Sequence, residues 1–239
     1  MRFIVNKEQE RLLNMRREHK ISESDYLMLA NALNKKSTYW GIENSLLVNP
    51  FQKIAGFKAL ILGLVLMVVM SVVGSYANVY YDGALAFIFP LGIKTSVAPS
   101  FFLLLYQNLV ICLTLSILFL VSSFVCRQKR IRYIDFFGTV FLSRYPLFIS
   151  LLFTMIHKFL DPKPFNEDIS QGFELHLSLI GTVSNLIFLA CIIWQIMTYF
   201  YALKEASGLD GKKLWGSFIA CMLLGDIIAM TLSRFFLYT

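Results

Sequence analysis

The chain has 239 residues, 57% hydrophobic and 15% charged, with a formal net charge of +7 and a mean hydropathy of +0.63. That composition excludes an ordinary soluble domain and a disordered chain, and fits one integral membrane domain with a modest polar appendix. Excess positive charge in such a chain marks cytoplasmic loops beside anionic lipid, so no nucleic-acid partner is expected.

Residues 1–55 are polar and too charged for a signal peptide, so insertion is expected to use the internal spans. Lys7–Lys20 reads as a helix with Asn6 as its cap and Leu12, Leu13 and Met15 as its apolar content. A second helix is predicted from about Ser24 to Lys36, capped by Ser22 or Ser24, with Tyr26, Leu27, Leu29 and Leu33 as a partial apolar face. Trp40 and Phe51 then approach the membrane, and Asn49-Pro50 reads as a turn.

Five apolar stretches follow, each meeting the ~20 residues a membrane helix needs. The first is Ala59–Tyr81, with Tyr76, Tyr80 and Tyr81 as an aromatic belt at its far end. Gly83–Gly92 is apolar but short, and reads as an interfacial or re-entrant piece broken by Pro90. The second span lies within Pro99–Cys126, with Pro99 in its first turn. It ends at the basic run Arg127, Lys129, Arg130 and Arg132. The third, Phe136–Ile156, carries Arg144 near its middle and Pro146, which removes a backbone donor and tends to kink the helix. A polar loop with Asp161, Glu167, Asp168 and Glu174 leads to the fourth span, Leu177–Leu203. The fifth, Leu214–Phe236, contains Asp226 and Arg234.

Basic residues set an expected orientation. The region through Lys58 holds ten of the 22 Lys and Arg residues. The connections after the second and fourth spans hold most of the rest, whereas Lys94, Lys158 and Lys163 alone mark the other two. The alternation predicts a cytoplasmic N-terminus and an outer or lumenal C-terminus. The membrane is expected to be the plasma (inner) membrane in a prokaryote and the ER or Golgi in a eukaryote.

The five closely spaced spans, the Asn49-Pro50-Phe51 approach, the Ser143-Arg144-Tyr145-Pro146-Leu147 stretch of the third span and the Gly208–Lys213 turn resemble the Yip family. Those membrane proteins are named for interaction with Ypt/Rab GTPases. The resemblance covers about Leu47 to Thr239. It implies a membrane-organising or partner-recruiting role, and it assigns no Rab-binding surface here.

Chemical motifs are sparse. The sequence has no G-x-S-x-G, H-E-x-x-H, P-loop or paired intramembrane carboxylates. Ser143 and Ser184 sit in spans without an activating motif, where membrane serines commonly bond helix backbone. His157 and His176 flank the acidic loop, but their spacing fits no metal pattern. Cys112, Cys126, Cys191 and Cys221 all lie in or at the end of spans and form no disulfide or zinc framework. Neither a cofactor nor an enzymatic activity is expected. The pairs Gly216/Ala220, Gly225/Ala229 and Ser71/Ser75 mark close helix contacts, within the bundle or in a homo-oligomer.

Arg144 is the exception. A charge at bilayer depth costs at least ~2.5–3.5 kcal/mol on insertion scales. Counting ~1.5 Å per residue puts Arg144 roughly 13 Å and Asp226 roughly 18 Å from the cytoplasmic face. Asn108 and Asn185 fall at similar depth. An intramembrane polar layer is therefore expected, in which Arg144 pairs with Asp226, helped by Asn108 or Asn185. The basic run Arg127–Arg132 is a candidate cytoplasmic patch for lipid or an acidic partner, or only a topology signal.

The expected architecture is all-α: a cytoplasmic helical region, 1–55, and a five-span domain, 56–239, in contact with the lipid bilayer. The expected function is a non-enzymatic scaffold of Yip type, recruiting cytoplasmic partners through residues 1–55. The alternative is a small oligomeric transporter or channel with a polar path at Arg144 and Asp226.

Overall fold

The computed structural model describes residues 7–18, 21–30, 45–81, 83–84, 99–126, 131–160 and 179–238. Two compact units divide the chain at Met1–Asn49 and Pro50–Thr239. The division falls slightly ahead of the sequence-read boundary after residue 55, because the 3-10 turn Pro50–Gln52, with Pro50 and Phe51 buried, belongs to the second unit.

The first unit contains α1 (Lys7–Arg17) and a helical stretch, α2, at residues 23–30. Ser22 caps α2: its Oγ accepts the Asp25 N–H at 3.1 Å and donates to Asp25 Oδ2 at 2.6 Å, an arrangement close to a capping box. The two helices are joined by an Arg16–Glu23 ion pair of 2.8 Å and by Arg16 over the Tyr26 ring at 4.7 Å. Leu27 and Met28 stay exposed. Trp40 lies outside the described residues.

Among the described residues the second unit contains six α-helices: α3 (Gly56–Ala77), α4 (Phe101–Val125), α5 (Tyr133–Leu142), α6 (Tyr145–Leu160), α7 (Leu179–Ser207) and α8 (Gly211–Tyr238). Among the described residues there is no strand. Five segments are long and apolar enough to cross a membrane: α3, α4, α5 with α6, Leu186–Ser207 and Gly211–Arg234. The third is therefore two helices, not one. Pro146 sits in the first turn of α6, where a missing N–H costs no hydrogen bond. At the break, the Thr198 hydroxyl of α7 donates to the Ser143 carbonyl at 3.0 Å, sharing its proton with its own Gln195 carbonyl at 2.8 Å.

Glycine permits a close approach between α3 and α5. A Cβ on Gly63 would lie 2.6 Å from Phe141 Cβ, and one on Gly138 would lie 2.7 Å from the Gly56 carbonyl oxygen. Small residues let helix backbones meet in this way. Of the pairs read from sequence, Gly225/Ala229 is buried, with Gly225 set against Leu115 of α4, whereas Gly216/Ala220 is exposed and Gly216 meets nothing. One core runs through all the spans, including Met70, Leu104, Leu115, Phe136, Tyr199 and Leu203.

Three helix ends differ from expectation. Ser100 caps α4, accepting the Leu103 N–H at 3.3 Å, so Pro99 lies ahead of the helix and not in its first turn. Helix α3 stops at Ala77, where Asn78 takes a left-handed conformation with φ 56°. The expected tyrosine belt therefore splits. Tyr76 is 70% exposed, while Tyr81 turns back and is 7% exposed. Most of Gly83–Gly92 lies outside the described residues. Helix α7 runs on to Ser207, past the expected end at Leu203, and Gly208, with φ 65°, follows it, its N–H bonding the Lys204 carbonyl at 2.9 Å.

Candidate functional site

Arg144 stands at the α5–α6 break and is the largest fully buried side chain, 1% exposed. Its surroundings come from three directions. Tyr81, folded back from the end of α3, places its ring under the guanidinium, 5.4 Å from centroid to Cζ. Two bonds hold Tyr81 there: its hydroxyl donates to the Met70 carbonyl at 2.8 Å, and its N–H donates to Gln107 Oε1 of α4 at 3.1 Å. Cys112 of α4 brings its thiol within hydrogen-bonding reach of the guanidinium. Tyr199 of α7 closes a further side, close enough to feel the charges of both Arg144 and Asp226.

Asp226 of α8 is fully buried, but no Arg144 nitrogen comes within 4.0 Å of its oxygens. The expected contact ion pair is not formed. Asp226 instead packs on the returning chain, where a Cβ added to Gly83 would lie 2.5 Å from Oδ1. Depth counting placed the two charges at similar height. It carries no information about which way each side chain faces around its helix.

Asn108 is fully buried beside Arg144's ring partner: its Nδ2 donates to Ser71 Oγ of α3 at 3.2 Å, and it lies in reach of the Tyr81 hydroxyl. Ser71 in turn donates to the Met67 carbonyl at 2.9 Å. The backbone of Asn185 lies away from this layer. The residues of α7 beside the break are Trp194, Gln195 and Thr198, and Asn185 lies ~15 Å away along the axis. The reason is that α7 has 29 residues, which makes it longer than the apolar layer and shifts any depth counted from its end. The side chain of Asn185 is outside the described residues.

Three polar residues of the layer went unread in the sequence, Gln107, Gln195 and Tyr199, and Tyr81 was read only as a belt residue. Gln195 and Tyr199 do carry a signal, since they lie i,i+4 on one face of an otherwise apolar span. Polar atoms of this layer exceed their partners. Gln107 Nε2, Asn108 Oδ1, Arg144 Nε and Nη1, both Gln195 amide atoms and the Tyr199 hydroxyl are buried without a hydrogen-bond partner among the described protein groups. Each such group costs about 1–3 kcal/mol when left so.

A cavity of about 120 Å3 adjoins the layer. Arg144, Gln195, Ser150 and Thr154 supply its polar wall, and Leu147, Leu151, Phe188, Ile192 and Ile196 its apolar wall.

The other predicted sites are quieter. Arg132 is exposed just ahead of α5, while Arg127, Lys129 and Arg130 lie outside the described residues. So do His176 and the acidic loop, and the side chain of His157. Among the described residues no group of His, Cys, Asp or Glu is arranged to hold a metal. Ser143 bonds its own helix, donating to the Thr139 carbonyl at 2.7 Å. The fold and the site thus define an all-helical membrane protein with five apolar spans and a charged centre. No family, curated protein or solved structure matches the chain.

Proposed function

We infer that this chain is a non-enzymatic integral membrane organiser of the Yip type, recruiting cytoplasmic partners through its N-terminal unit. The observation that carries this reading is the third span. Its break at Ser143-Arg144, ahead of Pro146, is the stretch on which the resemblance to that family rests, and it is tied at the bundle centre through Thr198. The Pro50-Phe51 approach supports the same reading, because both residues are buried in a 3-10 turn at the base of the bundle. In this reading the N-terminus is cytoplasmic, as the lysine and arginine bias requires. Residues 1–49 form a separate unit whose exposed Leu27 and Met28 face partners.

The test places photo-crosslinking residues at Leu13, Leu27 and Met28 in the full chain in its native membrane. The reading expects adducts with a defined cytosolic protein, lost when Leu27 and Met28 are both changed to Ser. Adducts with lipid alone, together with solute flux in proteoliposomes, would favour the second reading. That second reading is a small oligomeric transporter or channel, and the cavity against Arg144 is the observation that favours it.

A further inference from the structure

The geometry points to a binding site for an acyl carboxylate in the cavity beside Arg144, with the carboxylate held by Arg144 and Gln195 and the hydrocarbon lying along α6 and α7. This goes beyond the scaffold reading and stands whether or not that reading is correct.

Charge comes first. A guanidinium stays protonated in proteins, so one wall of the cavity carries a full positive charge. Among the described residues no carboxylate oxygen touches it at 4.0 Å or less. Tyr81 offers the ring face, and Cys112 a thiol. Neither neutralises a cation, and Arg144 Nε and Nη1 remain as buried donors without acceptors. An anion in the cavity is the partner that answers the charge.

The shape of the anion follows from the rest of the wall. Gln195 adds an amide on the cavity, 2% exposed, which makes no hydrogen bond within 3.5 Å among the described groups and has the Tyr199 hydroxyl in reach. Guanidinium and amide together offer donors suited to a planar, two-oxygen head. Beyond that end the walls are Leu147, Leu151, Phe188, Ile192 and Ile196, which suit methylene groups and not a second charge. Asp226 reaches the cavity's surroundings at Gly83, so a dianion or a larger charged head would be repelled there. The volume, about 120 Å3, is somewhat below the ~150 Å3 cavity known to take benzene, which sets the scale at a carboxylate with a few carbons, or the head end of a longer chain.

Two sources share this chemistry: a fatty acid entering from the bilayer and a short carboxylate entering from water. The test uses the full chain purified in non-ionic detergent. It is titrated with butyrate, hexanoate and octanoate and, in parallel, with 1-octanol and octylamine, and thermal unfolding is read. The carboxylates should raise the unfolding temperature where the alcohol and the amine do not. Arg144→Met should weaken octanoate about 10–100-fold, the range for losing hydrogen bonds to a charged group. Gln195→Leu should weaken it less and leave the preference over octanol. If Arg144→Met does not fold, the wild-type comparison of octanoate with octanol decides alone. Mass spectrometry of a solvent extract separates the sources. A co-purified fatty acid at one per chain points to the bilayer, and none, with added carboxylate still binding, points to water. Equal stabilisation by octanol and octanoate would show an apolar cleft only. No carboxylate effect in the wild type would show an arginine satisfied by water. Either result overturns the proposal, as does an Arg144→Met protein that keeps the carboxylate preference.

Discussion

The Arg144 guanidinium lies over the Tyr81 ring, 5.4 Å from its centroid, in the buried centre of the bundle. Tyr81 follows the end of α3 and Arg144 stands in the third span, so this contact ties the chain leaving the first span to the break in the third. A cation over an aromatic face is worth ~2 kcal/mol or more when desolvated.

Tyr81→Phe should keep the ring contact and lose the hydroxyl bond to Met70, lowering stability by about 0.5–1.5 kcal/mol. Tyr81→Leu loses both and should cost more. Thermal unfolding in detergent measures the difference. Equal damage from the two substitutions would show that the ring does not hold Arg144.

The α3–α5 approach predicts unequal tolerance among glycines. Gly63→Ala and Gly138→Ala drive a methyl into backbone of the facing helix and should each cost ~1–3 kcal/mol. Gly216→Ala meets nothing and should be neutral or slightly stabilising, since alanine favours helix by up to ~1 kcal/mol. Comparing unfolding temperatures of the three variants checks this, and a harmless Gly63→Ala would contradict the packing.

Arg144 and Asp226 should behave as separate sites. Without a contact ion pair, Arg144→Met and Asp226→Asn should combine with a coupling energy below the several kcal/mol that a contacting buried charge pair shows. A double-mutant cycle on unfolding measures it. Strong rescue of one substitution by the other would restore direct pairing.

Thr198→Val should cost ~0.5–1.5 kcal/mol by removing the donor to the Ser143 carbonyl, whereas Thr198→Ser should retain most of the stability. Unfolding of both variants separates the hydrogen bond from the loss of shape, and an equal loss in valine and serine would assign the effect to packing.

The five spans were legible in the sequence because each is an apolar run of about 20 residues bounded by charge or by Gly and Pro. Pro146 announced a disturbance in the third span, although a kink and a full break look alike without the partner Thr198. Arg144, Asp226 and Asn108 were found as buried polar residues because polar groups in apolar runs stand out. Their pairing was not found. Residue counts give height along a helix and leave its rotation unknown. Tyr81 was read as a belt residue because nothing local announces that the chain turns back after Asn78. Gly63 and Gly138 were missed for a related reason. They face each other across two helices, and a single glycine in each carries no spacing pattern.

The five-span arrangement itself is tested most directly by site-specific cysteine labelling from each side of sealed vesicles. The background is a chain in which Cys112, Cys126, Cys191 and Cys221 are replaced, all of them free thiols. Single cysteines at Gln9, Gln128 and Gly208 should react only with reagent reaching the cytoplasmic side, and those at Asn166 and Thr239 only from the opposite side. An Asn166 cysteine labelled from the cytoplasmic side would contradict the arrangement, and with it the placement of Arg144 inside a membrane-spanning bundle.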